Sequence, residues 1–252
     1  METSPPSPNW PWLPILYRPQ GGTSRSTITN RGGQSVPRSP YLFRRVVQLY
    51  AGLVLYGASC ALMLRAGLGL DPWDVFHQGL SERTGISIGM LSIIVGALVL
   101  LLWWPLRQRP GLGTVSNVVV LGLALDGTLL VMPQVHGLAA QIPLLLCAVV
   151  LNGAATGLYI SARFGPGPRD GLMTGLHRRT GRSIRLVRTT IEVTVLGTGV
   201  LLGGTAGAGT VVYALAIGPL AQFFLRFFSI PASGEGPVRV AASQPERAIL
   251  PQ

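Results

Sequence analysis

The stretch LYGASCALMLRAGLGLDPWDVFHQGLSERTGISI, Leu55–Ile88, decides how the chain is read, because it returns 96 residues later. Its second form is Leu151–Ile184, LNGAATGLYISARFGPGPRDGLMTGLHRRTGRSI. In one ungapped register, 15 of 34 positions are identical. The matches include Gly69/Gly165, Pro72/Pro168, Asp74/Asp170, Gly79/Gly175, Thr84/Thr180 and Gly85/Gly181. Apolar bias alone pairs Leu with Leu; it does not align Gly, Pro, Asp and Thr. The register continues through Val99/Val195, Gly113/Gly209, Thr114/Thr210 and Gly122/Gly218. The chain reads as two copies of one membrane unit.

Composition sets the class. The 252 residues are 48% hydrophobic and 12% charged, with a mean hydropathy of +0.45. A soluble domain carries about 25% charged residues. The net charge is +11, and all 20 basic residues are Arg. They stand between apolar segments, which points to membrane orientation and away from nucleic acid. Cys60 and Cys147 both fall inside apolar segments, so they read as small packing residues rather than a disulfide or metal ligands. No phosphate loop, zinc-protease motif, nucleophile elbow or dinucleotide fingerprint is found, so nothing points to an enzyme or a cofactor.

Residues 1–40 are rich in Pro, Ser, Gly and Arg, lack the apolar run of a signal peptide and read as a disordered tail. Residues 229–252 read likewise. Between them lie two three-span repeats, 41–132 and 141–228. The six spans expected are Val46–Leu64, Ile88–Leu106, Val115–Met132, Ile142–Ala162, Leu186–Leu202 and Thr210–Phe228. Arg44, Arg45, Arg107, Arg109, Arg178, Arg179 and Arg226 collect on one side of this arrangement, with Arg65 and Arg83 on the other. The Arg-rich side is the cytoplasmic one, which places both termini inside. Three spans is an odd number, so the second copy enters the membrane from the opposite face. The fold expected is therefore an all-α membrane protein of six transmembrane helices in two inverted repeats, the arrangement of many secondary transporters.

Each copy also carries a short loop helix that opens Pro-x-Asp. In the first, Gly67 to Leu70 break the span, Asp71 caps, Pro72 opens the helix and Thr84-Gly85 stops it. In the second, Gly167 is the weaker cap and Pro168 the opener. Asp74 and Asp170 stand in matching first turns, where a carboxylate either satisfies the free N–H groups or faces a substrate. Asp126 falls within a span, where an acid must face the bundle interior. Its register mate is Gln222. Glu192 has Arg188 one turn earlier, so a local ion pair is available. Asn152 is a polar group within a span and a candidate link between helices. His77 and His177 are not register mates, and each reads as a polar loop residue. Asp74, Asp170, Asp126, Gln222, Asn152 and Glu192 form the candidate substrate-binding set.

The segment GLGLDPWDVFHQGLSERTGISIG and its second form GPGPRDGLMTGLHRRTG resemble the YczE/YyaS/YitT group of bacterial integral membrane proteins, the YczE branch above all. The resemblance covers about Tyr41–Phe228. It implies a multipass protein of the bacterial plasma membrane and supplies no catalytic residue. The function expected is a small transporter or exporter of a solute or ion, in the lipid bilayer, with a homodimer as one assembly. The alternative is a non-transporting membrane partner of an inner-face enzyme or regulator, docking through the Arg-rich loop between spans four and five.

Overall fold

The computed structural model describes residues 42–228. Both tails expected from the sequence lie outside the described residues. Within them the chain forms eight helices: α1 Leu42–Ala66, α2 Pro72–Thr84, α3 Ile88–Trp103, α4 Leu112–Val131, α5 Leu138–Ser161, α6 Pro168–Thr180, α7 Ile184–Leu201 and α8 Ala208–Phe228. No strand occurs among the described residues.

Local chemistry explains the boundaries. Asp71 caps α2 by accepting hydrogen bonds from the N–H groups of Trp73 (2.8 Å) and Asp74 (2.9 Å), and Pro72 takes the first position. Gly167 caps α6 without a side-chain bond. Both short helices stop on a left-handed glycine, Gly85 (φ 73°) and Gly181 (φ 66°), where a side chain would be strained. Ser87 and Ser183 then cap α3 and α7 in matching fashion.

The helices α1, α4, α5 and α8 are each long and apolar enough to cross a membrane. Helices α2 and α3 meet the same test only as a pair, bent by 113°. Taken alone, the 16 residues of α3 reach about 24 Å, short of a hydrocarbon core of about 30 Å. Helix α7 is 18 residues long and carries Arg185, Arg188 and Glu192 in its first half, which makes it too polar to qualify. Four spans are thus shown by length and composition, or five with the bent pair, where the sequence reading expected six.

The packing exchanges parts between the two copies. Helices α1 and α5, register mates, lie against each other at the centre. Each also packs on the last helix of its own copy, α1 on α4 and α5 on α8. Gly57 admits the backbone of Leu121 and Leu125, and its mate Gly153 admits Leu220. The short helices do the opposite: α2 packs on α7 of the second copy, and α6 on α3 of the first. The atoms repeat too. Gly209 N–H donates to Leu68 O at 2.8 Å, and its mate Gly113 N–H donates to Phe164 O at 2.9 Å. Val75 on α2 sits against Gly199 on α7; at the equivalent place Gly171 on α6 receives the ring of Trp103. In each copy a larger residue meets a glycine, with the glycine on the long helix in one and on the short helix in the other.

One equivalence breaks. Gly89 and Gly122 bring α3 and α4 into backbone contact. Their mates are Arg185 and Gly218, and a side chain built at Gly218 meets nothing. An arginine cannot occupy the place of Gly89 in such a crossing, so the second copy lacks the glycine-to-glycine approach of the first. Large apolar side chains stay exposed on the outer faces, among them Leu101, Leu123, Leu130, Leu215 and Phe227. A soluble bundle would hide them; a lipid-facing one does not need to.

Candidate functional site

The N-termini of the two short helices meet in the interior, and charged residues mark the place. Arg169, the second residue of α6, reaches across to α2. Its guanidinium lies 3.7 Å from Asp71 Oδ1 and 3.9 Å from Asp74 Oδ1. It also stacks over the ring of Trp73, 4.9 Å from the centroid. Trp73 and Arg169 are register mates, so the cluster sits where the copies face each other residue to residue.

Burial makes the cluster unusual. Asp71, Asp74 and His77 are 1%, 3% and 1% exposed. His77 Nδ1 lies 3.3 Å from Asp74 Oδ1, one turn along α2. Of the four buried side-chain polar atoms without a hydrogen-bond partner among the described residues, two belong to this cluster, Asp71 Oδ2 and His77 Nε2; the others are Gln48 Oε1 and Arg65 Nε. Orphaned buried groups of this kind cost about 1–3 kcal/mol each and so mark a place where another group is expected. With both carboxylates ionised, the one guanidinium would leave one negative charge without a balancing partner.

The surroundings come from α1, α5 and α8. Cys60, 2% exposed, puts its sulfur beside both aspartates, and the three groups offer ligand atoms all within 4.8 Å of one another. Asn152 donates to Ser59 Oγ at 2.8 Å, lies 3.8 Å from Cys60 Sγ and accepts from Tyr213 OH at 3.3 Å. It ties α5 to α1 and α8 immediately beside the cluster. A cavity of about 30 Å³ flanks the site, lined by Trp73, His77, Ser92, Asn117 and Arg169 among others. That is room for about one water molecule.

The candidate set divides. Asp74 is at the heart of the cluster. Asn152 adjoins it and links helices as its position in a span implied. Asp170, mate of Asp74, is at the surface and accepts from Tyr159 OH at 3.3 Å. Asp126 caps α3 from a neighbouring helix, accepting from Ser87 Oγ (2.6 Å) and Gly89 N–H (2.8 Å), which accounts for an acid within a span. Glu192 pairs with Arg188 at 2.9 Å, the local ion pair the spacing offers. Gln222 is exposed on α8.

Three members of the cluster were not in that set. His77 is buried rather than a polar loop residue, because α2 lies inside the bundle. Asp71 read only as a cap, and Arg169 only as one of many basic residues. One signal was available: Trp73 and Arg169 occupy the same register position, an aromatic ring facing a cation.

A model of a family of unknown function, DUF6198, matches residues 43–226, nearly the whole helical part. An uncharacterized protein of Haemophilus influenzae is 37% identical over 187 residues, covering 74% of this chain and 86% of the relative. The uncharacterized membrane protein YczE of Bacillus subtilis is 34% identical over 178 residues, 70% of this chain and 83% of its own length. YyaS of the same organism is 25% identical over 178 residues. No solved structure matches the chain. The resemblance to the YczE group is therefore established, and with the apolar helices it marks a membrane protein.

Proposed function

The chain belongs to the DUF6198 family, and we propose that it is a small transporter carrying a solute or ion across a bacterial plasma membrane. The observation that carries this reading is the buried cluster of Asp71, Asp74, His77 and Arg169 between two short helix N-termini. Structural ion pairs rarely leave a carboxylate oxygen and an imidazole nitrogen orphaned in the interior, whereas a binding site does so by design. Inverted-repeat transporters place their sites where interrupted helices from the two halves converge. The exchanged contacts of α2 with α7 and α6 with α3 support such a two-fold relation. On this reading α3 and α7 complete three membrane segments per copy, both termini are cytoplasmic and the copies are inverted.

Two experiments test it. Proteoliposomes on a solid-supported membrane are perfused in turn with amino acids, sugars, nucleosides and divalent metal ions. One class is expected to give a current that Asp74→Asn reduces at least about tenfold and Asp170→Asn leaves within about twofold, the expected difference between a buried site member and a surface residue. Silence to every class overturns the transport reading. Separately, single cysteines placed beside Gly85 and Gly181, in a chain with Cys60 and Cys147 replaced by Ser, are labelled from one side of intact cells. The two positions are expected on opposite faces; labelling from the same face ends the inverted arrangement.

A second reading rests on a different surface. A groove of about 620 Å³ is lined by Trp104, Arg107, Gly175, Arg178 and Arg179. Its basic rim suits an acidic partner, as an accessory protein at the inner face would need.

A further inference from the structure

We propose that Cys60, Asp71 and Asp74 form a binding site for one divalent transition metal ion of the zinc type, with His77 holding Asp74 in place. The inference rests on the location of the site proposed above but not on transport itself.

Three observations converge. The sulfur of Cys60 and the carboxylates of Asp71 and Asp74 lie mutually within 4.8 Å, all three residues buried. A tetrahedral zinc centre places such ligands about 3.6 Å apart, from metal–sulfur and metal–oxygen bonds of about 2.3 and 2.1 Å. Closing the remaining ångström takes a small movement of side chains. Asp71 Oδ2 is buried without any partner, and Asp71 Oδ1 is already held by two N–H groups, so the free oxygen is the one left to bind. His77 Nδ1 lies beside Asp74, the kind of outer contact that fixes a ligating carboxylate.

Charge gives the valence. Two carboxylates and the Arg169 guanidinium sum to one negative charge. A divalent ion binding with release of the Cys60 proton to solvent adds two positive charges and one negative, and the site becomes neutral. A neutral total is what a buried site in an apolar bundle demands. The ligand set gives the metal. Thiolate is too soft a donor for magnesium or calcium, and one sulfur with two oxygens suits zinc or cobalt. Three protein ligands leave a fourth position open, the pattern of zinc sites that act on a bound molecule rather than merely brace a fold.

The test uses the full chain in lipid nanodiscs under reducing conditions, titrated with Co²⁺. The expected result is a near-ultraviolet thiolate-to-cobalt absorption band that saturates at one ion per chain and is removed by Zn²⁺. Cys60→Ser abolishes the band and Cys147→Ser keeps it. His77→Gln keeps the band and weakens affinity about 10- to 100-fold, as loss of an outer-shell partner does. Absence of the band in the wild-type chain, or its survival in Cys60→Ser, overturns the proposal. X-ray absorption at the zinc edge of the wild-type protein needs no variant: one sulfur among the ligands is expected, and a shell of oxygen and nitrogen alone overturns the site. Metal binding without any current leaves this site standing and removes the transport reading. A current lost in Asp74→Asn, with no metal band, does the reverse.

Discussion

Arg169→Ala is expected to destabilise the protein by about 3 kcal/mol or more, the usual cost of leaving a buried charge without its partner. The guanidinium is the only cationic side chain placed against Asp71 and Asp74 among the described ion pairs, apart from the neighbouring His77. Removing it strands two carboxylates in the interior. The cause is then tested by compensation. Asp71→Asn in the Arg169→Ala background removes one negative charge while keeping the cap, since Asn accepts from the first-turn N–H groups as well as Asp does. The double variant is expected to recover most of the loss, giving a coupling of at least about 1 kcal/mol in a double-mutant cycle. Denaturation of the purified protein in mild detergent is the measurement. Additive losses would mean that Arg169 serves only as packing. The exposed pair of Arg188 and Glu192 is the internal control: Arg188→Ala should cost at most about 0.5 kcal/mol.

Gly69→Ala and Gly165→Ala are expected to be more damaging still, and to a similar degree. Both glycines have φ of 120°, a region essentially closed to other residues. Both also face the start of the last helix of the opposite copy. A methyl group on Gly69 would stand 2.7 Å from Gly207 N and 2.8 Å from Thr210 Oγ1; one on Gly165 would stand 2.9 Å from Thr114 Oγ1. Backbone strain of about 1–3 kcal/mol and overpacking of a similar size act together at one atom. Each substitution should therefore remove most folded protein from the membrane fraction, read by fluorescence-detected gel filtration. Gly197→Ala is the contrast, since a side chain there meets nothing and gains helix propensity. A well-folded Gly69→Ala would show that the loop can re-route without its positive φ.

Much of this design is legible in the sequence. The 96-residue register, the Pro-opened short helices, their Thr-Gly ends, the Asp71 cap and the Arg188–Glu192 pair all follow from spacing and local chemistry, and all are present. The cluster is not legible in the same way. Hydropathy reports how much a segment prefers oil, and capping reports how a helix begins; neither tells which neighbour a face meets. His77 is inside because its side of α2 turns to a small cavity walled by α3, α4 and the start of α6, neighbours that no local pattern names. Asp126 drew notice as a lone acid in a span, yet it caps α3 from next door. The six-span count rests on two helices that length and composition alone do not qualify. A six-span pattern takes α3 and α7 as full crossings, but α3 is short and sharply bent from α2, and α7 trades apolar residues for Arg185, Arg188 and Glu192.

The exchanged short helices govern how the protein can be made. When only the first 132 residues have left the ribosome, α2 has no α7 to lie on, and Asp71 and Asp74 have no Arg169. The early half must wait in the bilayer as an incomplete guest, with its acids exposed to whatever water or chaperone is at hand. Only the arrival of the late half seals both. Two separately translated halves should consequently accumulate together and be degraded apart.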